Sequence, residues 1–151
     1  MTTNPTTLEV SGHSNPEPDL WILSFSWPTN PIPANGPQGN WRHRHRAVAA
    51  AKDLALKLAI AARIPEMAKC EALLTQWYVL NRRRDVDNLA RLEKPLFDAL
   101  VVAGVVRDDT PDLMVKPRAE IRHVNDSAGL VTKPGFTLHV RRLAEVEEFE
   151  L

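Results

Sequence analysis

Ala72-Leu-Leu-Thr-Gln-Trp-Tyr-Val-Leu80 runs directly into Asn81-Arg82-Arg83-Arg84-Asp85-Val86-Asp87-Asn88. The first segment is apolar on both of its alternating faces, which predicts a central strand covered on both sides. The second sets three arginines against two carboxylates spaced i, i+2, at the C-terminal end of that strand. Cations gather phosphate, whereas clustered carboxylates repel it unless a divalent metal lies between them. Both together point to a phosphodiester or nucleotide with a metal ion.

Working outward, Asp87 or Asn88 is a good N-cap for a helix running to about Ala103. Leu89, Leu92, Leu96, Leu100 and Ala103 recur at helical spacing as its buried stripe, and Gly104 comes next in the usual closing position. Upstream, Arg46 to Ile64 is rich in Ala, Leu and Lys and stops before Pro65, which predicts another helix. Its stripe is Leu54, Leu58 and Ala62, with Arg46, Asp53 and Lys57 toward water. Leu20 to Trp27 reads as a first strand ended by Pro28, and Pro28 to Gly39 as an irregular, proline-rich loop.

Leu113 to His123 alternates as one strand, with Val115, Ala119 and Ile121 on one face and Lys116, Arg118, Glu120 and Arg122 on the other. Pro117 within it favours an edge or bulged strand. Phe136 to Leu143 gives the last strand. The expectation is an α/β fold of mixed α+β character: a single domain with a small mixed sheet, two main helices and the order β-α-β-α-β-β. It occupies residues 18–143, after a flexible lead-in at 1–17 and before an acidic tail at 144–151.

A chain of 151 residues is long enough for one domain with a real core and short for two. It is 44% hydrophobic and 25% charged, with zero formal net charge. That balance is uneven. Arg42, Arg44 and Arg46, interleaved with His43 and His45, form one basic cluster; Arg82, Arg83 and Arg84 form another; Glu145, Glu147, Glu148 and Glu150 offset them. Cys70 is the sole cysteine, which excludes an intramolecular disulfide and a thiolate metal cluster. No run reaches the roughly 20 apolar residues of a membrane span, and no basic-then-apolar secretory signal opens the sequence. The expectation is a soluble protein of a reducing cytoplasm with no membrane partner.

Asp85 and Asp87 would share one side of an extended segment, where their repulsion is relieved by Mg²⁺ or Mn²⁺. Asp109, of the pair Asp108-Asp109, could add a third carboxylate after the helix. Taken alone, D-x-D is better explained by a capped helix and an Arg–Asp pair; the arginines before it and the acidic pair after it reverse that balance toward the metal reading. Lys94, at i+7 from Asp87, could neutralise charge developing on a phosphate. Arg91 is a rival for that task, and an i, i+4 pair with Asp98 is the plainer role for Lys94. Asn88 could bond a metal-bound water. The Arg42, Arg44 and Arg46 cluster could track a DNA backbone with Trp41 stacking on a base, or be a solvated helix start. Trp21, Trp27 and Trp77 read as core.

R-D-x-D-N at 84–88, K-P-L-F-D-A-L at 94–100, A-G at 103–104 and D-D at 108–109 together resemble the RusA family of Holliday junction resolvases. The likeness covers residues 82 to 109, with weaker agreement in the proline-rich loop and the alternating strand. It implies a small homodimeric, often phage-borne endodeoxyribonuclease of the bacterial cytoplasm, which needs Mg²⁺ and resolves four-way junction DNA by paired nicks. The resemblance places the catalytic, metal-holding aspartates on Asp85, Asp87 and Asp109, the essential lysine on Lys94 and the preceding arginine on Arg84. Arg82, Arg83, Arg84, Arg42, Arg44 and Arg46 would then hold the junction arms. One spacing departs from the family: Lys94 lies three residues further from Asp87 than is common, rotating its helix face by about 60°. Arg91 stands at the usual distance.

Two other classes fit parts of the pattern. A non-catalytic branched-DNA-binding protein would keep the arginines without needing metal. A nucleotide-sugar transferase would use D-x-D, but the chain is short for separate donor and acceptor domains.

Overall fold

The computed structural model describes residues 18–32, 41–80 and 84–144. The expected lead-in at 1–17, the loop at 33–40, Arg82 and Arg83, and the acidic residues of 145–151 lie outside the described residues. In chain order the elements are β1 (Leu20–Phe25), α1 (Trp41–Ala61), β2 (Cys70–Tyr78), α2 (Ala90–Val102), β3 (Met114–Val115), β4 (Glu120–His123) and β5 (Gly135–Arg142). Single turns of 3-10 helix occupy Val86–Leu89 and Val124–Ser127. The result is one mixed α+β domain with two helices and a five-stranded mixed sheet.

β5 lies between β1 and β2 and is antiparallel to both, with Leu23 opposite Leu138 and Leu74 opposite the same residue on the other side. The far edge of β2 is divided: β3 pairs with Cys70 and Glu71, and β4 with Thr75 to Tyr78, both in parallel. The expected single strand at 113–123 is therefore two strands. Pro117 lacks an N–H for the ladder, and the residues from Lys116 to Ala119 leave β2 between the two pairings.

The apolar cluster takes Leu23 and Phe25, Ala72 and Leu74, and Phe136, Leu138 and Val140 from the sheet, all on one face, and packs them against both helices. From α2 it takes Leu92, Leu96 and Leu100, as the periodicity predicts. From α1 the fully buried stripe is Ala51, Ala55 and Ala59; the expected Leu54 and Leu58 flank it half-buried, and Ala62 joins the core. Small side chains on the central row bring the helix backbone close to its neighbours, leaving the leucines to fill the sides.

β2 is central, as its sequence predicts, but among the described residues helices cover one face only. The other face shields itself: Trp77 Nε1 donates to Thr137 Oγ1 at 2.8 Å and the Arg122 guanidinium lies 5.5 Å over the Trp77 ring. Trp77 is buried, as expected of a core residue.

α1 begins at Trp41, five residues before the expected start at Arg46, because the Arg/His run is itself helical. Its end uses Arg63 in the left-handed region (φ 55°), with Ile64 N–H donating back to Ala59 and Arg63 N–H to Ile60. α2 ends on the same pattern at Gly104 (φ 82°), with Val105 N–H bonded to Leu100 and Gly104 N–H to Val101. No helix among the described residues is long and apolar enough to cross a membrane.

Candidate active site

The end of β2 and the segment after it are held by aromatic contacts. The Arg84 guanidinium lies 4.6 Å over the Tyr78 ring, which also meets the His123 ring in a perpendicular arrangement with centroids 5.2 Å apart. His123 Nε2 is 3.1 Å from the Val79 carbonyl, so β4 and the outgoing chain of β2 are joined just before the acidic residues.

Asp85 is extended (φ −117°, ψ 120°) and caps the 3-10 turn: its side chain accepts from Asp87 N–H at 3.0 Å, and its carbonyl accepts from Asn88 N–H. The expected helix cap at Asp87 or Asn88 is not formed: α2 follows Leu89 with no side-chain cap, and Asp85 caps the turn that leads into it. A carboxylate before a tight turn satisfies the orphan N–H groups best from the extended position, and Asp87 and Asn88 already lie inside the turn. The turn also corrects the expectation that Asp85 and Asp87 share one side of an extended segment, since the chain coils between them. The Asn88 carbonyl in turn accepts from Asn30 Nδ2 at 2.8 Å, fastening the loop after β1 to this turn.

On α2, the Lys94 ammonium donates to Asp109 Oδ2 at 2.9 Å and reaches Asp98 Oδ1 at 3.0 Å, so its expected tie to Asp98 is present and extended to the acidic pair. Asp108 turns its carboxylate to Asp109 N–H at 2.7 Å, leaving Asp109 to face the lysines. Lys116 Nζ is 3.5 Å from the same Asp109 oxygen and 5.6 Å from the centre of the Phe97 ring. Arg118 donates to Asp87 Oδ1 at 3.1 Å.

These contacts border an open cleft of about 350 Å³, lined by Asp87, Glu93, Lys94, Phe97, Lys116 and Arg118 among others. Hydrogen bonds to Asp109 and then Asp98 hold the Lys94 ammonium well above its ordinary pKa, so it stays charged. The Lys94 hydrogen bond draws Asp109 below the usual carboxylate range. Glu93 moves the other way: burial raises it, against the charge of Lys116.

The structure thus lines one cleft with Asp87, Lys94, Lys116 and Arg118 and ties Asp109 to it through Lys94 and Lys116. Asp85 is adjacent in sequence but engaged with the turn backbone. Arg91 is not among the residues lining the cleft, whereas Lys94 is. Arg42, Arg44 and Arg46 lie on the first turns of α1 and also do not line it. There Trp41 is 66% exposed, with Arg42 5.6 Å over its ring and the His45 ring edge at 6.1 Å.

Every candidate metal donor here is a carboxylate oxygen, the kind a hard divalent ion takes. Among the described residues, no three His, Cys, Asp or Glu side chains are gathered into a metal-holding group. Asp109 and Asp87 are instead engaged by the ammonium groups of Lys94 and Lys116 and by the guanidinium of Arg118. The donors match the ion in kind, and protein cations now carry the charge it would bring.

Sequence reading missed Lys116, Arg118 and Glu93 as cleft residues and Asn30 as a tether. Strict alternation placed Lys116 and Arg118 on the strand face opposite Val115, Ala119 and Ile121; the signal that could have found them is Pro117, which breaks the strand between them. Nothing in the sequence marks Asn30 beyond its place among prolines. Compared with known proteins, the chain matches no family model and no curated relative.

Proposed function

We propose that the chain is a Mg²⁺-dependent endodeoxyribonuclease of the RusA type, acting as a homodimer on four-way junction DNA. The observation that carries the reading is the Lys94 ammonium at 2.9 Å from Asp109 on the rim of a cleft that also holds Asp87. Residues far apart in sequence converge there, and they are the ones that the resemblance singles out.

In this reading Asp85, Asp87 and Asp109 hold the ion, with Mn²⁺ as a substitute. The bound ion supplies an acidified water and charge stabilisation at the scissile phosphate. Lys94, kept charged by its carboxylate partners, donates to a non-bridging phosphate oxygen as negative charge builds during attack. Arg84, stacked on Tyr78, presents a fixed cation beside the acidic turn. Arg82, Arg83 and the Arg42, Arg44 and Arg46 surface contact the arms, with Trp41 available to stack on a base. A two-fold dimer supplies two matched sites for two symmetric nicks.

The test is a labelled synthetic junction incubated with purified protein and Mg²⁺. Paired symmetric nicks are expected, lost on chelation and in Asp85→Asn. Nicking that survives Asp85→Asn would remove the metal assignment. Lys94→Ala should abolish cleavage and Arg91→Ala should spare it; the reverse pattern moves the essential cation to Arg91. A second reading, a branched-DNA-binding protein without hydrolysis, draws on the pairing of Asp87 and Asp109 with protein cations. Junction binding that persists in chelator, with no nicking under any metal, would favour it.

A further inference from the structure

The break at Pro117 does more than divide a strand. Between β3 and β4 the chain swings away from β2, and Lys116 and Arg118, two residues apart on either side of the proline, reach into the cleft opposite Lys94 on α2. A continuous strand would have kept them on a sheet face. Here the Lys116 ammonium lies 5.6 Å over the Phe97 ring and 3.5 Å from Asp109, while Arg118 is 75% exposed and 3.1 Å from Asp87. Both cations are held by carboxylates at the mouth of a cleft open enough for a polyanion to enter.

The Arg118–Asp87 pair, 75% and 79% exposed, is weak, so a phosphate can displace that carboxylate at little cost. Asp109 is more covered, but Lys94 holds the same oxygen and stays paired with it when Lys116 turns to a phosphate. An arginine offers a planar fork that matches phosphate in two simultaneous hydrogen bonds, and a lysine offers a point charge. From this arrangement we infer that Lys116 and Arg118 form, with Lys94, a phosphodiester-binding site: the segment carrying Pro117 is one jaw, α2 is the other, and the two cations pass from Asp109 and Asp87 to the nucleic-acid backbone. The inference rests on the cleft being a phosphodiester site. It does not require hydrolysis.

Junction DNA labelled with a fluorophore is titrated in chelator, with each variant's melting temperature confirming the fold. Lys116→Gln and Arg118→Gln should each weaken binding at least about threefold and lower the slope of log affinity against log salt by about one. Lys116→Arg should keep most of the affinity, and Arg118→Lys, which keeps the charge but loses the fork, should fall between the unaltered protein and Arg118→Gln. Lys57→Gln, which breaks the exposed Asp53–Lys57 pair on α1, serves as the charge-matched control.

The decisive variant is Asp87→Asn/Arg118→Gln, which removes both charges of a pair and leaves the net charge unchanged. If Arg118 contacts phosphate, this variant stays weaker than the unaltered protein, because relieving the repulsion of Asp87 does not replace the lost contact. If Arg118 only masks Asp87, affinity returns to that of the unaltered protein and the inference is wrong. Losses no greater than that of Lys57→Gln would also overturn it. Nicking by the unaltered protein in Mg²⁺ is scored separately: binding losses without any nicking would sink the endonuclease reading alone, and nicking with unchanged binding would sink this inference alone.

Discussion

Asn30 Nδ2 donates to the Asn88 carbonyl at 2.8 Å, while its own Oδ1 accepts from Ile32 N–H at 2.9 Å. One side chain thereby shapes the loop after β1 and clamps the turn that carries Asp85 and Asp87. Asn30→Ala removes the bond to the Asn88 carbonyl and the bond from Ile32 N–H and is expected to cost about 1–2 kcal/mol in denaturant unfolding. If the endonuclease reading holds, it should also slow nicking more than it weakens junction binding, because the turn moves and the arginines do not. Equal losses in both would show that the tether serves only folding.

Trp77 and Thr137 close the sheet face without helices. Trp77→Phe keeps most of the ring but removes the donor to a buried hydroxyl, and should cost about 2 kcal/mol by chemical denaturation. An unchanged midpoint would mean that the hydroxyl finds another partner.

His139 lies beside that pair, its Nδ1 3.5 Å from Thr137 Oγ1. Burial, and secondarily the charge of Arg122, hold its pKa below the ordinary 6.5. The folded protein therefore keeps the ring neutral while the unfolded chain takes up a proton as pH falls through 6.5. The unfolded state then binds more protons, so stability is present above that pH and is lost below it. The melting temperature should fall between about pH 7.5 and about pH 5.5, and His139→Gln should flatten the fall. An equally steep fall in the variant would assign it to other groups.

The two helix ends make a paired experiment. A Cβ on Gly104 would touch nothing within 4 Å, so Gly104→Ala tests the φ of 82° alone and should cost about 1 kcal/mol. Arg63 already bears that strain at φ 55°, so Arg63→Gly should be neutral or stabilising by up to about 1 kcal/mol. Both are read from unfolding midpoints.

The long-period features were legible from sequence. The leucine stripe of α2, Gly104 at its end and the apolar run of β2 all appear where patterning puts them, because each depends on neighbours within a few positions. Three features were not. The alanine row of α1 is buried because of what packs on it, and a hydrophobicity pattern favours the larger leucines. The capping role of Asp85 depends on where the 3-10 turn begins. Lys116 and Arg118 obey an alternation that holds only while a strand continues, and Pro117 ends it. The resemblance put Lys94 and Asp109 in one site, but their direct contact and the cations that share the cleft were not read from the sequence.

The placement of β5 has a consequence for how the chain is made. It separates β1 from β2 in the sheet, so β1 has no sheet neighbour until residues 135–142 emerge. Pairing Leu20 with Arg141 closes a loop spanning most of the chain, a slow step relative to helix formation. During translation α1, β2 and the acidic turn exist for a time beside an open sheet edge, which is a sticky intermediate. Synthesis that stalls before β5 should yield aggregation-prone chains, and the final strand acts as the keystone of the domain.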